Sequence, residues 1–160
     1  MRPSPPPAQP PDARHARSIV AAWLADAPCD VARLAGAGFS GAAVFLVESS
    51  AGRFVLKGLA TGTDPARAAW IHRLMLHLRR SGIGQIPRPW ATAAGDTLVT
   101  DGVGGMWELV DFVPGDATRA PSAAQARSTL EILARVHQAA AVLQPDLERT
   151  PPAGRSRTDR

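Results

Sequence analysis

A chain of 160 residues has room for one buried core, and its formal charge of +4 and pI near 10.9 raise the question of a nucleic-acid partner. The arginines run from Arg2 to Arg160 with no stripe interleaved with aromatics, so a solvated surface is expected and no nucleic-acid interface. The lone Cys29 excludes an internal disulfide or a cysteine metal cluster and fits a reducing, cytoplasmic setting; the apolar run at 19–24 falls short of the about twenty residues a membrane span needs. Residues 1–11 hold six prolines and no apolar period, and residues 144–160 hold three prolines, four arginines and one leucine. Neither end can bury enough apolar surface to offset the entropy of ordering it. The chain therefore reads as a disordered Pro-rich arm at 1–11, one folded lobe at 12–143 and a disordered tail at 144–160.

Within the lobe, Asp12 caps a short predicted helix whose apolar residues Ile19, Val20, Trp23 and Leu24 recur at helical spacing until Asp26-Ala27-Pro28 stops it. A glycine-rich stretch, Leu34-Ala35-Gly36-Ala37-Gly38-Phe39-Ser40-Gly41, leads into a predicted strand at 44–48. A turn at 49–53 containing Gly52 and a second strand at 54–59 complete an antiparallel hairpin. Asp64 and Pro65 then open a helix as cap and first residue. Trp70, Ile71, Leu74, Met75 and Leu78 share one face of it, His72, Arg73, His77 and Arg80 fall on the other, and Ser81-Gly82 ends it. Ile86-Pro87-Arg88-Pro89 is an extended connector, because a residue before proline avoids the helical region. Strands follow at 97–100 and 106–113, with a turn between them, and Pro114-Gly115 breaks the second. Ser122 caps a last helix reaching about residue 142, with Leu130, Leu133, Ala134, His137 and Ala141 on its apolar face. The order is helix, two strands, helix, two strands, helix: an α+β fold with helices packed on an antiparallel sheet.

Gly36, Gly38 and Gly41 spell G-x-G-x-x-G. Glycines let a backbone approach phosphate oxygens closely and aim N–H groups at them. Two unrelated nucleotide folds use this spacing, and the context separates them. A dinucleotide fingerprint follows a strand and opens a helix. A kinase loop joins two antiparallel strands and is followed by a strand carrying a lysine. Here a strand follows the loop, and Val55-Leu56-Lys57 supplies the lysine. Lys57 is the only lysine beside seventeen arginines. A compact ammonium fits between phosphates where a planar guanidinium fork would not.

On these residues the sequence resembles the aminoglycoside phosphotransferase and choline-kinase-like branch of the protein-kinase-like fold, over residues 34–141. The loop with Gly36, Gly38, Ser40 and Gly41, the strand Phe54-Val55-Leu56-Lys57 and the connector Ile86-Pro87-Arg88-Pro89 carry the likeness. So do Trp107-Glu108-Leu109-Val110-Asp111-Phe112-Val113-Pro114-Gly115, similar to the strand and hinge between lobes, and Leu133-Ala134-Arg135-Val136-His137, similar to the helix before the catalytic loop. The resemblance implies an amino-terminal kinase lobe with an ATP or GTP site. In it Lys57 holds the α- and β-phosphates, Val110 lines the pocket, and backbone groups of Asp111 and Val113 meet the purine edge. His137 is expected to be a packed, hydrogen-bonded histidine without a catalytic role.

Two departures stand out. A kinase lysine pairs with a glutamate on the following helix, yet no acidic residue occurs between Asp64 and Gly82, and His72 and His77 are poor substitutes. The lysine is then held differently, or nucleotide binds weakly. Further on, no His-x-Asp follows His137 and the chain contains no asparagine, so the base and the Mg²⁺ ligands of the family are absent. The leading expectation is an isolated, inactive amino-terminal lobe from a truncated, frameshifted or split gene. The second is a non-catalytic nucleotide-binding or interaction module that pairs with a separate catalytic partner. A third, a dinucleotide-binding oxidoreductase fragment, requires a helix directly after Gly41. An unpartnered lobe is also expected to expose apolar surface near the hinge and last helix, and to self-associate.

Overall fold

The computed structural model describes residues 11–25, 27–34, 42–115 and 120–143. The first helix, α1 (Ala13–Leu24), starts where Asp12 accepts a hydrogen bond from the His15 N–H at 2.8 Å. Its Ala16, Ile19 and Val20 are buried, one apolar stripe at helical spacing. A strand follows that the sequence pattern does not announce: β1 (Cys29–Arg33), an edge strand with Val31 as its one buried residue. A single inward apolar side chain gives no alternation to detect, so pairing with the next strand, not propensity, defines it.

The next two strands, β2 (Val44–Ser49) and β3 (Gly52–Gly58), form the expected hairpin, closed by residues 50 and 51 between Ser49 and Gly52. Gly52 takes φ +132°, a setting that side chains rarely adopt. The predicted helix is α2 (Pro65–Arg80), capped by Asp64 through the Ala66 N–H at 2.9 Å. The sheet is finished by β4 (Val99–Thr100), shorter than predicted, and β5 (Met106–Asp111), and the chain then forms α3 (Ala123–Ala141) behind a capping box of Ser122 and Gln125. The five strands lie in the order β1-β2-β3-β5-β4, all neighbours antiparallel. The expected connector lies along β5 as well: Pro89 bridges to Val110, and the Trp90 N–H donates to the Leu109 carbonyl at 2.8 Å. This is the expected α+β architecture with one further strand.

Alternate residues of the central strands face opposite ways. Phe45, Val47, Phe54, Leu56, Trp107 and Leu109 turn toward α1 and form the core with Ala16, Ile19 and Val20. The Trp107 ring crosses Gly58 so closely that a β-carbon there would lie 3.2 Å from it, so a side chain directly after Lys57 would require the ring to shift by a few tenths of an ångström. At the 101–105 turn, Asp101 accepts from the Trp107 indole at 2.8 Å, from the Gly105 and Val103 N–H groups at 2.7 and 3.0 Å, and contacts His15 Nε2 at 3.0 Å. Burial would raise its pKa, but these hydrogen bonds together outweigh burial and lower it to about 2.

Two expectations about helix faces are corrected. His72, assigned to the outward face of α2, is 1% exposed, while Ile71 from the expected apolar face is 39% exposed. The buried stripe runs through Ala68, His72 and Leu78, because His72 finds polar partners beneath it that repay burial. On α3 no residue is buried; Leu130 and Leu133 are 64% and 46% exposed, and His137 is exposed instead of packed. The described contacts of α3 with the rest of the lobe include two polar ones, Ala139 O with His77 Nε2 and Arg135 with Gly82 O, each at 3.0 Å.

Candidate functional site

The site is built from the sheet face opposite α1. Direct cross-strand partners share a face, and the register gives two rows there. One row is Leu46, Val55 and Val110; the next, one two-residue step along and about 7 Å away, is Val44, Lys57 and Glu108. The first row is apolar, and Val44 adds to it; Val44 and Val110 are both buried. The second ends in an ammonium and a carboxylate.

Lys57 lies beside the exit of the glycine-rich segment. It pairs with Val44, and the next residue, Gly58, donates its N–H to the Ala43 carbonyl at 2.8 Å. On the entry side the Leu34 N–H donates to the Val44 carbonyl at 2.9 Å, and β1 pairs antiparallel with β2 up to Arg33 opposite Phe45. Segment 34–43 therefore joins two antiparallel strands, and its last described residues, Ala42 and Ala43, lead into Val44 directly beside Lys57. A strand, not a helix, follows it, which removes the dinucleotide-binding alternative. Gly36, Gly38, Ser40 and Gly41 themselves lie outside the described residues.

Lys57 also has a partner, and it does not come from α2. Its Nζ is 3.4 Å from Glu108 Oε1, directly across β3 and β5. The other carboxylate oxygen, Oε2, lies 2.6 Å from His72 Nε2, and His72 Nδ1 lies 2.7 Å from Thr97 Oγ1. Burial would raise the Glu108 pKa, yet its hydrogen bond to His72 and the nearby Lys57 charge more than compensate, and the carboxyl is held below its usual range. An ionised carboxylate only accepts, so His72 Nε2 carries the proton and donates to it. The Lys57 side chain remains 42% exposed, with donors to spare for a second anion.

The hinge residues fall as follows. Val110 is buried at the end of the apolar row. Asp111 closes β5, and its N–H is engaged by the Arg88 carbonyl at 3.0 Å while its carboxylate accepts from the Trp90 indole at 2.6 Å. Val113 lies beyond the strand, 42% exposed, and among the described residues no backbone acceptor takes its N–H. Sequence reasoning singled out Lys57 and Val110 but passed over Glu108 and gave His72 no role. The available signal was Glu108 itself, a lone inward charge in the apolar run Met106-Trp107-Glu108-Leu109-Val110. Two concavities lie beside this region, one of about 750 Å³ by His15, Asp101 and Trp107 and one of about 300 Å³ by His72 and Asp96. Within the lysine row the Lys57 ammonium is half exposed, while Val44 and Glu108 are largely covered.

Comparison with known proteins bears on the same region. The chain is 35% identical over 97 residues to a homoserine kinase from Azorhizobium caulinodans, an alignment covering 61% of this chain and 30% of that protein. The chain thus spans about a third of the length of this curated relative. Residues 31–160, which include both site rows, match the phosphotransferase enzyme family (APH). With a kinase-like amino-terminal lobe and this match over most of its length, the chain belongs to the phosphotransferase enzyme family.

Proposed function

We propose that this chain is the nucleotide-binding lobe of a small-molecule phosphotransferase, taking ATP or GTP on the sheet face opposite α1. One observation carries the reading. The only lysine sits on that face, one row from an apolar strip and directly beside the exit of a G-x-G-x-x-G segment. A purine base needs apolar contact and a polyphosphate needs amide donors and cationic charge. The two rows offer these side by side.

In this reading Gly36, Gly38, Ser40 and Gly41 present backbone N–H groups to the phosphates, and Lys57 holds the α- and β-phosphates. Leu46, Val55 and Val110 contact the base. The Asp111 N–H is already engaged, so Asp111 offers its carbonyl and Val113 its N–H to the purine edge. Phosphoryl transfer in such enzymes also uses Mg²⁺, held by carboxylate or amide oxygens. The described residues do not fit the ion: no three His, Cys, Asp or Glu side chains gather among them, and both Glu108 oxygens are occupied. The 160 residues also hold no His-x-Asp after His137 and no asparagine. The lobe is therefore read as inactive alone, with base and metal ligands supplied by a further lobe, on the same protein or separately encoded. The exposed Leu130, Leu133 and Val113 are consistent with such a partner. The acceptor belongs to that partner; the likeness to a homoserine kinase makes a small hydroxy amino acid the first acceptor to try in the complete enzyme. A cytoplasmic location rests on the lone cysteine, and among the described residues no helix is long and apolar enough to cross a membrane.

Calorimetric titration of the lobe with ATP and with GTP tests the reading. Binding that Lys57→Ala weakens about tenfold or more is the expected result. Wild type and Lys57→Ala equally silent toward both nucleotides would sink it.

A further inference from the structure

A phosphate-binding lysine must be aimed. Its side chain has four rotatable bonds, and an ammonium left to solvent samples many positions. In kinases a glutamate on the helix after the lysine strand does the aiming. Here that helix, α2, carries no Asp or Glu at all from Pro65 to Arg80.

The geometry around Lys57 supplies the missing carboxylate from a different element. Glu108 stands directly across the β3–β5 ladder and gives one oxygen to Lys57 and the other to His72. With both oxygens engaged, by donors on two different elements, the carboxylate plane is fixed. His72 is fixed in turn: the whole residue is 1% exposed, and its far nitrogen meets Thr97. A buried imidazole with two partners is costly to displace, because moving it would strand polar atoms away from water. The sequence Thr97, His72, Glu108, Lys57 thus runs from the connector before β4, through α2, to the exposed ammonium.

We propose that Glu108, anchored by His72, is the positioning residue for Lys57, so that α2 reaches the phosphate-binding ammonium through an imidazole and a strand carboxylate in place of a carboxylate of its own. The inference rests on the reading of Lys57 as a phosphate ligand. It adds that the helix and strand have exchanged the carboxylate, and that the setting of α2 and the affinity for nucleotide are coupled through His72.

Because Lys57 is the only lysine, reductive methylation with ¹³C-formaldehyde gives one lysine side-chain resonance, readable without nucleotide. In folded Glu108→Gln this resonance is expected to move, and ATP affinity to fall about tenfold, the size expected for losing one charge-assisted hydrogen bond. His72→Leu is expected to weaken ATP binding about fivefold, and His72→Gln, which places a donor near the position of Nε2, to restore it to within about twofold. If His72→Leu does not fold, Glu108→Gln, nearly identical in shape, carries the test. A Lys57 resonance unmoved by Glu108→Gln would overturn the proposal, as would a folded His72→Leu that binds ATP like the wild type. A wild-type lobe that binds neither ATP nor GTP, but whose Lys57 resonance responds to Glu108→Gln, would instead sink the nucleotide reading and leave the positioning of Lys57 by Glu108 standing.

Discussion

The two faces of one sheet follow different rules. Toward α1, Phe45, Leu56 and Leu109 are wholly buried, and the carboxylate of Asp101 at the edge of that core is satisfied by four partners. Toward α2, the neighbours of those same residues in sequence, Val44, Lys57 and Glu108, make one row in which Val44 and Glu108 are largely covered and the ammonium is half exposed. Period-two alternation lets a strand hold the fold together on one side and present chemistry on the other. The α1 face supplies the packed core, while the other face keeps a half-exposed ammonium among largely covered neighbours.

The comparison can be broken first on the closed side. Phe45→Ala removes a side chain with no solvent exposure, and is expected to cost about 4 kcal/mol in urea unfolding. A loss below about 1 kcal/mol would mean that the α1 face is not the core. Asp101→Ala is expected to cost about 3 kcal/mol, since it strands the Trp107 indole and the Gly105 N–H. The same carboxylate sets an acid limit. Its pKa is lower when folded (about 2) than the ordinary 3.8, so its contribution is complete above the ordinary value. That contribution is lost as pH falls from about 4 toward 2. Asp101→Asn should flatten this part of a pH-stability curve; an unchanged slope would contradict the assignment.

On the lysine side the expected effects divide the other way. Lys57→Ala is expected to change unfolding free energy by no more than about 1 kcal/mol, because the ammonium is half exposed and Glu108 keeps His72. Its effect should appear in nucleotide titration, and a large loss of stability instead would make Lys57 a structural residue. The smallest effect on stability is expected at α3. Leu130→Ser with Leu133→Ser should alter stability by less than about 0.5 kcal/mol, yet reduce concentration-dependent association in sedimentation velocity. A large destabilisation there would show that α3 belongs to the core after all.

Much of the fold was legible because its signals are local. Asp12, Asp64 and Ser122 each cap the helix expected of them, and the β2–β3 hairpin has its glycine turn. The candidate site's outline is likewise a matter of sequence order, since glycine segment, strand and lysine follow one another along the chain. What was not legible depends on partners far along the chain. β1 has one buried side chain, so its identity comes from lying against β2. The role of His72 could not be read from helical spacing, because a histidine is polar or buried according to what waits beneath it. Leu133 and His137 had the spacing of a packed face, but spacing cannot say whether anything lies opposite.

By itself the sequence determined the order and kind of most elements and brought a glycine-rich segment close to the only lysine, since caps, turns and periodicity act over a few residues. Tertiary structure alone decided that Lys57 is held by Glu108 and that His72 holds Glu108, residues brought together from separate elements. The register of β3 against β5 sets the first contact and the docking of α2 sets the second. Both are fixed by how whole elements pack, and no local signal carries that information.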